Sequence, residues 1–215
     1  MTDVWSRRAE AFRTSATHRE GADLDLVVEW CEPGEGVQAL DVATGGGHVA
    51  RRLREGGCSV VSVDPAPGMQ PTVVARAEDL PFADDSFDVV ACRIAPHHFA
   101  DVRAAVSEMA RVSRNRVVVQ DNVFVDERVE EAEKLRDPTH VRCYSEDDWR
   151  AFFRAAGLRI EDERMFERDV EVEPWLARVD TPPADAEHVR ELLSDRISDG
   201  RLTLRSIVLR GRKAA

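Results

Sequence analysis

Lysine is nearly missing from this 215-residue chain: Lys134 and Lys213 are the only two. The other basic residues are arginines, and they do not offset 41 acidic residues, which leaves a formal charge of -11. No basic stripe interrupts that excess, which argues against a nucleic-acid partner. The four cysteines, Cys31, Cys58, Cys92 and Cys143, are scattered without a C-x-x-C pair. That spacing speaks against a disulfide frame or a zinc site and fits reduced thiols in a cytoplasmic protein. No apolar run reaches the ~20 residues a membrane-spanning helix needs. The N-terminal stretch Met1 to Arg8 lacks the apolar core of a signal peptide. Repeats and low-complexity tracts are absent as well. A single domain over residues 1–215 is expected, large enough for a sheet covered on both faces.

What is present centres on Val37 to Ala50. An apolar run from Val37 to Val42 reads as a buried strand, enters Gly45-Gly46-Gly47, and leaves as a helix carrying Val49, Ala50 and Leu53. Strand, glycine turn and helix open a βαβ nucleotide-binding unit. Glycines there let the backbone turn tightly and let a ligand approach the helix N-terminus. Gly45 to Ala50 also satisfies the dinucleotide fingerprint G-x-G-x-x-A, with Asp64 at a suitable distance for a ribose. Asp41, at the end of the strand, separates the two readings. Its carboxylate would repel a pyrophosphate at short range and attract a cation. A cofactor carrying an ammonium and a sulfonium, such as S-adenosylmethionine, suits it.

Periodicity organises the rest. Residues from Asp3 to about Cys31 form a leader of two helices broken near Gly21, and Pro33-Gly34 leads into the first strand. This leader, residues 1–32, either covers the ligand site or packs simply on the sheet. Strand two runs from Cys58 to Val63 and ends at Asp64. The three prolines of Pro65 to Pro71 cannot hold an ordinary helix, and a β-like run, Thr72 to Ala75, follows almost at once. A parallel crossover normally takes a dozen residues or more, so a crossover helix is expected to be shortened or lost here. Strands are then expected at Phe87 to Cys92 and Arg116 to Gln120, with a helix from Val102 to Val112 between them. Glu127 to Arg136 reads as a polar helix. Ser145 and Asp148 form a capping box for a helix that Gly157 closes. A strand from Leu158 to Phe166, a helix from Ala184 to Ile197 and a strand from Leu202 to Arg210 complete an α/β doubly wound sheet.

Ligands of such sheets sit beyond the carboxyl ends of the strands. Those ends collect Asp41 with the glycine turn, Asp64, Ala77-Glu78, Cys92-Arg93 and Asp121-Asn122. Asp64 suits two ribose hydroxyls, since a carboxylate accepts both; the plain alternative is an Asp that initiates a turn before Pro65.

Several motifs occur in order: Asp41-x-Ala43-Thr44-Gly45-Gly46-Gly47-His48, Ala77-Glu78-Asp79-Leu80-Pro81-Phe82, and Asp85-Ser86-Phe87-Asp88-Val89-Val90. Cys92-Arg93-Ile94-Ala95-Pro96-His97-His98-Phe99 follows, then Arg136-Asp137-Pro138-Thr139-His140-Val141-Arg142-x-Tyr144-Ser145. The ordered set resembles the class I S-adenosylmethionine-dependent methyltransferases, most of all the small-molecule group of ubiquinone and menaquinone C-methyltransferases. The resemblance implies a mostly parallel seven-stranded sheet with an antiparallel last strand. It places Asp41 near the cofactor's ammonium, through water or backbone. Ala43, Thr44, Gly45 and Gly47 fall under the methionine part, Asp64 on the ribose, and the Ala77-Glu78 backbone opposite the adenine. Arg93 and its neighbours line the pocket. Three departures bear on cofactor affinity: Ala43 replaces a common glycine, Arg76 replaces a small polar or acidic residue, and the connection from Asp64 to Thr72 is short.

Methyl transfer needs a general base only if the nucleophile must lose a proton. His97, His140 and Tyr144, the only tyrosine, are the catalytic candidates, and His98, Arg142 and Tyr144 the substrate candidates. For His97 and His98 the alternative is a helix-entry residue bonded to backbone. Trp149 and Phe152, at helical spacing, read as core. The expected function is methyl transfer from S-adenosylmethionine to a small organic acceptor. Its rivals are a cofactor-binding relative without robust turnover and an NAD-type oxidoreductase.

Overall fold

Alternation of apolar residues along three central strands fixes the layers. The computed structural model describes residues 2–213. In β1 (Gln38–Val42) and β4 (Phe87–Arg93), Ala39, Val89 and Ala91 point to one face, while Leu40, Val42, Val90 and Cys92 point to the other. The first set packs on α3 (Ala22–Cys31) and α4 (His48–Glu55) through Leu24, Val27 and Leu53. The second packs on α5 (Val102–Val112) and α7 (Glu146–Ala155) through Val106, Met109, Trp149 and Phe153. Strand β5 (Ser113–Asn122) is buried from Val117 to Asp121, as a strand covered on both faces must be.

The sheet runs β3-β2-β1-β4-β5-β8-β6. Strands β2 (Ser59–Asp64) and β3 (Val73–Val74) pair parallel on one side of β1, and β4 and β5 follow parallel on the other. Strand β8 (Arg201–Lys213) inserts antiparallel between β5 and β6 (Leu158–Glu171). The doubly wound, mostly parallel sheet with an antiparallel last strand is therefore present. Its order reverses at β1 and β4, the switch point where such sheets bind ligands.

The ends of the chain correct several expected boundaries. The leader is α1 (Thr2–Thr14), a single turn α2 (Ala16–Arg19) and α3, so it breaks at Ser15 as well as at Gly21. Strand β6 continues five residues past Phe166 to Glu171, and the short α8 (Val172–Ala177) follows it. Helix α9 (Pro183–Leu192) stops short of Ile197, which lies instead in β7 (Ile197–Ser198), paired with β8. Asp199 and Gly200 between these strands both have positive φ, 49° and 72°. A two-residue hairpin of the I′ type requires that conformation, and Asp-Gly adopts it readily. Helix α6 (Glu127–Arg136), α8 and α9 gather on this extension around Ala132, Trp175, Leu176, Val189 and Leu202. The capping box of Ser145 and Asp148 forms at α7 as expected.

The connection between β2 and β3 has no crossover helix. One 3-10 turn, Pro67–Met69, takes its place. Helix α1 covers the gap: Gly68 N–H donates to Ser6 Oγ at 3.1 Å, and a Cβ on Gly68 would lie 2.6 Å from Ser6 Cα. Ala9, Ala66 and Met69 pack there with Trp5 and Phe12. The leader thus occupies the side of the sheet that a shortened crossover leaves open.

Candidate active site

The three central strands deliver their last residues to one cavity of 180 Å³, walled by the glycine turn, β1, β2 and β4 ends, and α1. Asp41 ends up buried beneath the turn. Its Oδ2 accepts from Thr44 Oγ1 at 2.5 Å and from the Ala50 amide at 3.0 Å, so the carboxylate ties the start of α4 to the strand. Burial pushes its pKa up to about 6, against the lowering effect of those two bonds. Asp64 accepts from Gly45 N–H at 3.0 Å on Oδ2 and from Ala66 N–H at 2.9 Å on Oδ1. Each carboxylate oxygen has a second acceptor site left. Burial raises the pKa of Asp64 as well.

Two residues of the wall have strained backbone. Ala43 has φ 54° and Ile94 has φ 52°. The left-handed region costs an L residue with a Cβ roughly 1–2 kcal/mol, and a β-branched residue is rarer still there. Ile94 is held by the Gln120 side: its amide donates to Gln120 O at 2.9 Å and to Gln120 Oε1 at 3.1 Å. Ala43→Gly is expected to stabilise the protein by about 0.5 kcal/mol, the relieved strain less the extra chain entropy of glycine. Urea unfolding checks this; a destabilised variant would mean that the turn is not strained. Gly46 is needed for a different reason: a Cβ would lie 2.7 Å from His48 Nε2 and 2.9 Å from Phe12 O. That close approach lets His48 Nε2–H donate to Phe12 O at 3.0 Å and dock α1 on the turn.

The cavity's two arginines are both committed. Arg93 lies buried, giving Nε and Nη2 to Asp23 Oδ2 at 2.9 and 2.7 Å and Nη1 to His18 O at 2.8 Å. It lines the wall by anchoring the leader. Arg76, exposed at 56%, pairs with Glu78 at 3.2 Å, and Glu78 also accepts from Ala100 N–H at 2.9 Å. The lining therefore carries Asp41, Asp64 and Glu78 with no uncommitted cation among the described residues. Such a site suits a ligand bearing positive charge and hydroxyls.

The three candidate histidines cluster, with ring centroids 4.1 Å (His97–His98), 5.5 Å (His97–His140) and 6.3 Å (His98–His140) apart, but they have different partners. His98 borders the cavity edge-on to Trp5, ring centroids 4.6 Å apart. His97, the neighbour in the 3-10 turn Pro96–His98, has its ring 4.1 Å from that of His98 but does not line the cavity, and it hydrogen-bonds Asp121. Burial lowers the His97 pKa to about 3 and raises that of Asp121 to about 7, so His97 is neutral and one proton holds the contact. His140 is buried too and gives Nε2 to Glu130 Oε1 at 3.0 Å, while Glu130 Oε2 accepts from Cys143 N–H. Glu130, His140 and Cys143 converge as metal ligands would, yet both oxygens of Glu130 are already used inside the cluster. Tyr144 packs edge-on against Trp149 and Phe152, and Arg142 lies over the Phe124 ring. Of the five candidates only His98 borders the cavity, together with the unforeseen Trp5, Phe12 and His18 of the leader.

Residues 40–119 match the family model described as a methyltransferase domain. YcgJ of Bacillus subtilis, described as an uncharacterized methyltransferase, is 34% identical over an alignment covering 85% of this chain and 81% of that protein. Its crystal structure superposes with a TM-score of 0.82 at 29% identity, covering 90% of this chain and 98% of that one. A putative methyltransferase from Bacillus halodurans gives 0.79 at 26% identity, covering 91% and 100%. Geranyl diphosphate methyltransferase in complex with geranyl diphosphate and sinefungin shares the fold, with a TM-score of 0.65 at 14% identity over 90% of this chain and 78% of that one.

Proposed function

Because this chain belongs to the class I S-adenosylmethionine-dependent methyltransferases, we propose that it methylates a small organic acceptor held between the glycine turn and the leader helix. The observation that carries this reading is the convergence of buried Asp41 and Asp64 on a cavity whose arginines are already paired. Those residues fit the cofactor. Asp64 would take the ribose hydroxyls, the turn from Ala43 to Gly47 would face the methionine part with Asp41 behind it, and Ala77-Glu78 would face the adenine. The bound cofactor supplies an electrophilic methyl group; the protein binds, orients and excludes water. Positioning of this kind supplies much of the rate of an in-line displacement.

Family membership leaves no support for the NAD-type alternative. The likeness in motif order to the ubiquinone and menaquinone C-methyltransferases supports a small acceptor over a macromolecule. Among the described residues, no helix is long and apolar enough to cross a membrane. A panel of small phenols, thiols, azoles and carbon acids, incubated with radiolabelled S-adenosylmethionine, tests the reading. Labelled product from at least one is expected; cofactor binding without transfer to any of them would favour the non-catalytic rival.

Asp41 gives the site a pH dependence. A cationic ligand favours the ionised carboxylate, so affinity for S-adenosylhomocysteine, which keeps the ammonium, is expected to rise with pH through about 6 and then level off. Calorimetry from pH 5 to pH 8 reads this, and affinity that falls over that interval would contradict it. In the free protein the sign reverses. The folded state holds this proton more tightly than the unfolded chain does, so the group's contribution to stability declines as pH rises from 3.8 to about 6.

A further inference from the structure

Three histidines line the cavity, His18, His48 and His98, each with one ring nitrogen hydrogen-bonded to a neighbouring residue, and His98 is the one whose ring meets Trp5 edge-on. Its Nδ1 lies 3.0 Å from the carbonyl oxygen of Thr139. A carbonyl can only accept, so Nδ1 carries the proton and the neutral ring presents Nε2 as a bare lone pair. No described residue donates to that Nε2. The ring is half-buried, lines the cavity and meets Trp5 edge-on. The same cavity is lined by Asp41 and Asp64.

We propose that His98 Nε2 is the general base of this protein and that its acceptor is a small, largely apolar neutral acid, X–H. The proposal rests on the methyltransferase reading above. In the step, the X–H electron pair forms the new bond from X to the methyl carbon, and the pair of the breaking carbon–sulfur bond stays on sulfur. The proton passes to His98 Nε2 and from there to solvent.

Three observations set the acceptor class. The lining shared with His98 includes the apolar Trp5, Ile94, Phe99 and Val141, with Trp5 against the His98 ring. A permanently anionic acceptor would find no free cation in the protein lining, because Arg76 and Arg93 are held by Glu78 and Asp23. The imidazolium form is also disfavoured: burial, then the neighbouring His97, push the His98 pKa well below its usual value. A base that resists protonation removes a proton only from a group that ionises readily, and a cationic cofactor beside it stabilises the anion that forms.

Two measurements test this. Nitrogen-15 NMR of histidine-labelled protein is expected to show His98 protonated at Nδ1 and bare at Nε2; a proton on Nε2 overturns the proposal without any ligand. The second uses the complex with sinefungin, a cofactor analogue with an amine at the reacting position, and 4-nitrophenol, whose neutral and ionised forms absorb at different wavelengths. The wild-type complex is expected to bind 4-nitrophenol in its ionised form, and His98→Gln to weaken that binding by about ten-fold or more. Failure of sinefungin itself to bind would overturn the cofactor reading and the proposal with it. Sinefungin binding with 4-nitrophenol unbound, bound as the neutral phenol, or bound equally well by His98→Gln, overturns the proposal alone.

Discussion

Arg93→Met is expected to cost about 3–5 kcal/mol of stability, enough to lower the melting temperature by roughly 10 °C. The side chain is buried, and so is its partner Asp23, at 4% and 8% exposure. Removing the guanidinium takes both hydrogen bonds and the paired charge from that buried carboxylate, and a hydrogen bond from His18 O. A surface pair such as Arg51–Glu55, by contrast, is worth at most about 1 kcal/mol. The same bridge ties the start of α3 and the end of α2 to β4, so the leader should loosen with it. Removing both charges, as Asp23→Leu with Arg93→Met, is expected to recover most of the loss. Thermal unfolding of the single and double variants reads both. A shift in the single variant no larger than a surface pair gives would show that the leader is not held through Arg93.

Asp64→Ala is expected to weaken S-adenosylhomocysteine binding by about a hundred-fold or more. Two hydrogen bonds from the ribose to a carboxylate at about 1.5 kcal/mol each account for that factor. Asp64→Asn keeps an oxygen for one of the two amides that the carboxylate now holds, Gly45 N–H and Ala66 N–H. Its loss should therefore be smaller, which separates ribose recognition from collapse of the turn. Calorimetry on both variants is the check; a change of less than about five-fold in Asp64→Ala would remove this residue from the ribose, since even one such bond is worth more.

Much of this site is legible in the sequence because local rules govern it. A buried strand, three glycines and a helix place Asp41 and the turn; the strand-end position places Asp64; prolines between Pro65 and Pro71 forbid a crossover helix. What covers that gap is not a local matter. Helix α1 reaches it through Gly68 and Ser6, which lie 62 residues apart in sequence, and no periodicity announces such a contact. His97 and His98 show a second limit. They are adjacent in a 3-10 turn with rings 4.1 Å apart, yet one bonds Asp121 and the other lines the cavity. Composition and spacing treat them alike. Ile94 is a third case, since a β-branched residue carries no sign of a positive φ until Gln120 is seen to hold its amide. The Asp199-Gly200 hairpin, in contrast, had a readable signal in its two residues.

Titration of the purified protein with S-adenosylhomocysteine, with NADH as the control, tests the central claim most directly. The account predicts binding of the first ligand and not the second. At a hundred times the dissociation constant, S-adenosylhomocysteine should raise stability by about 2.7 kcal/mol. Binding of NADH, or of neither ligand, would contradict a cavity built by Asp41 and Asp64 for a cationic nucleoside.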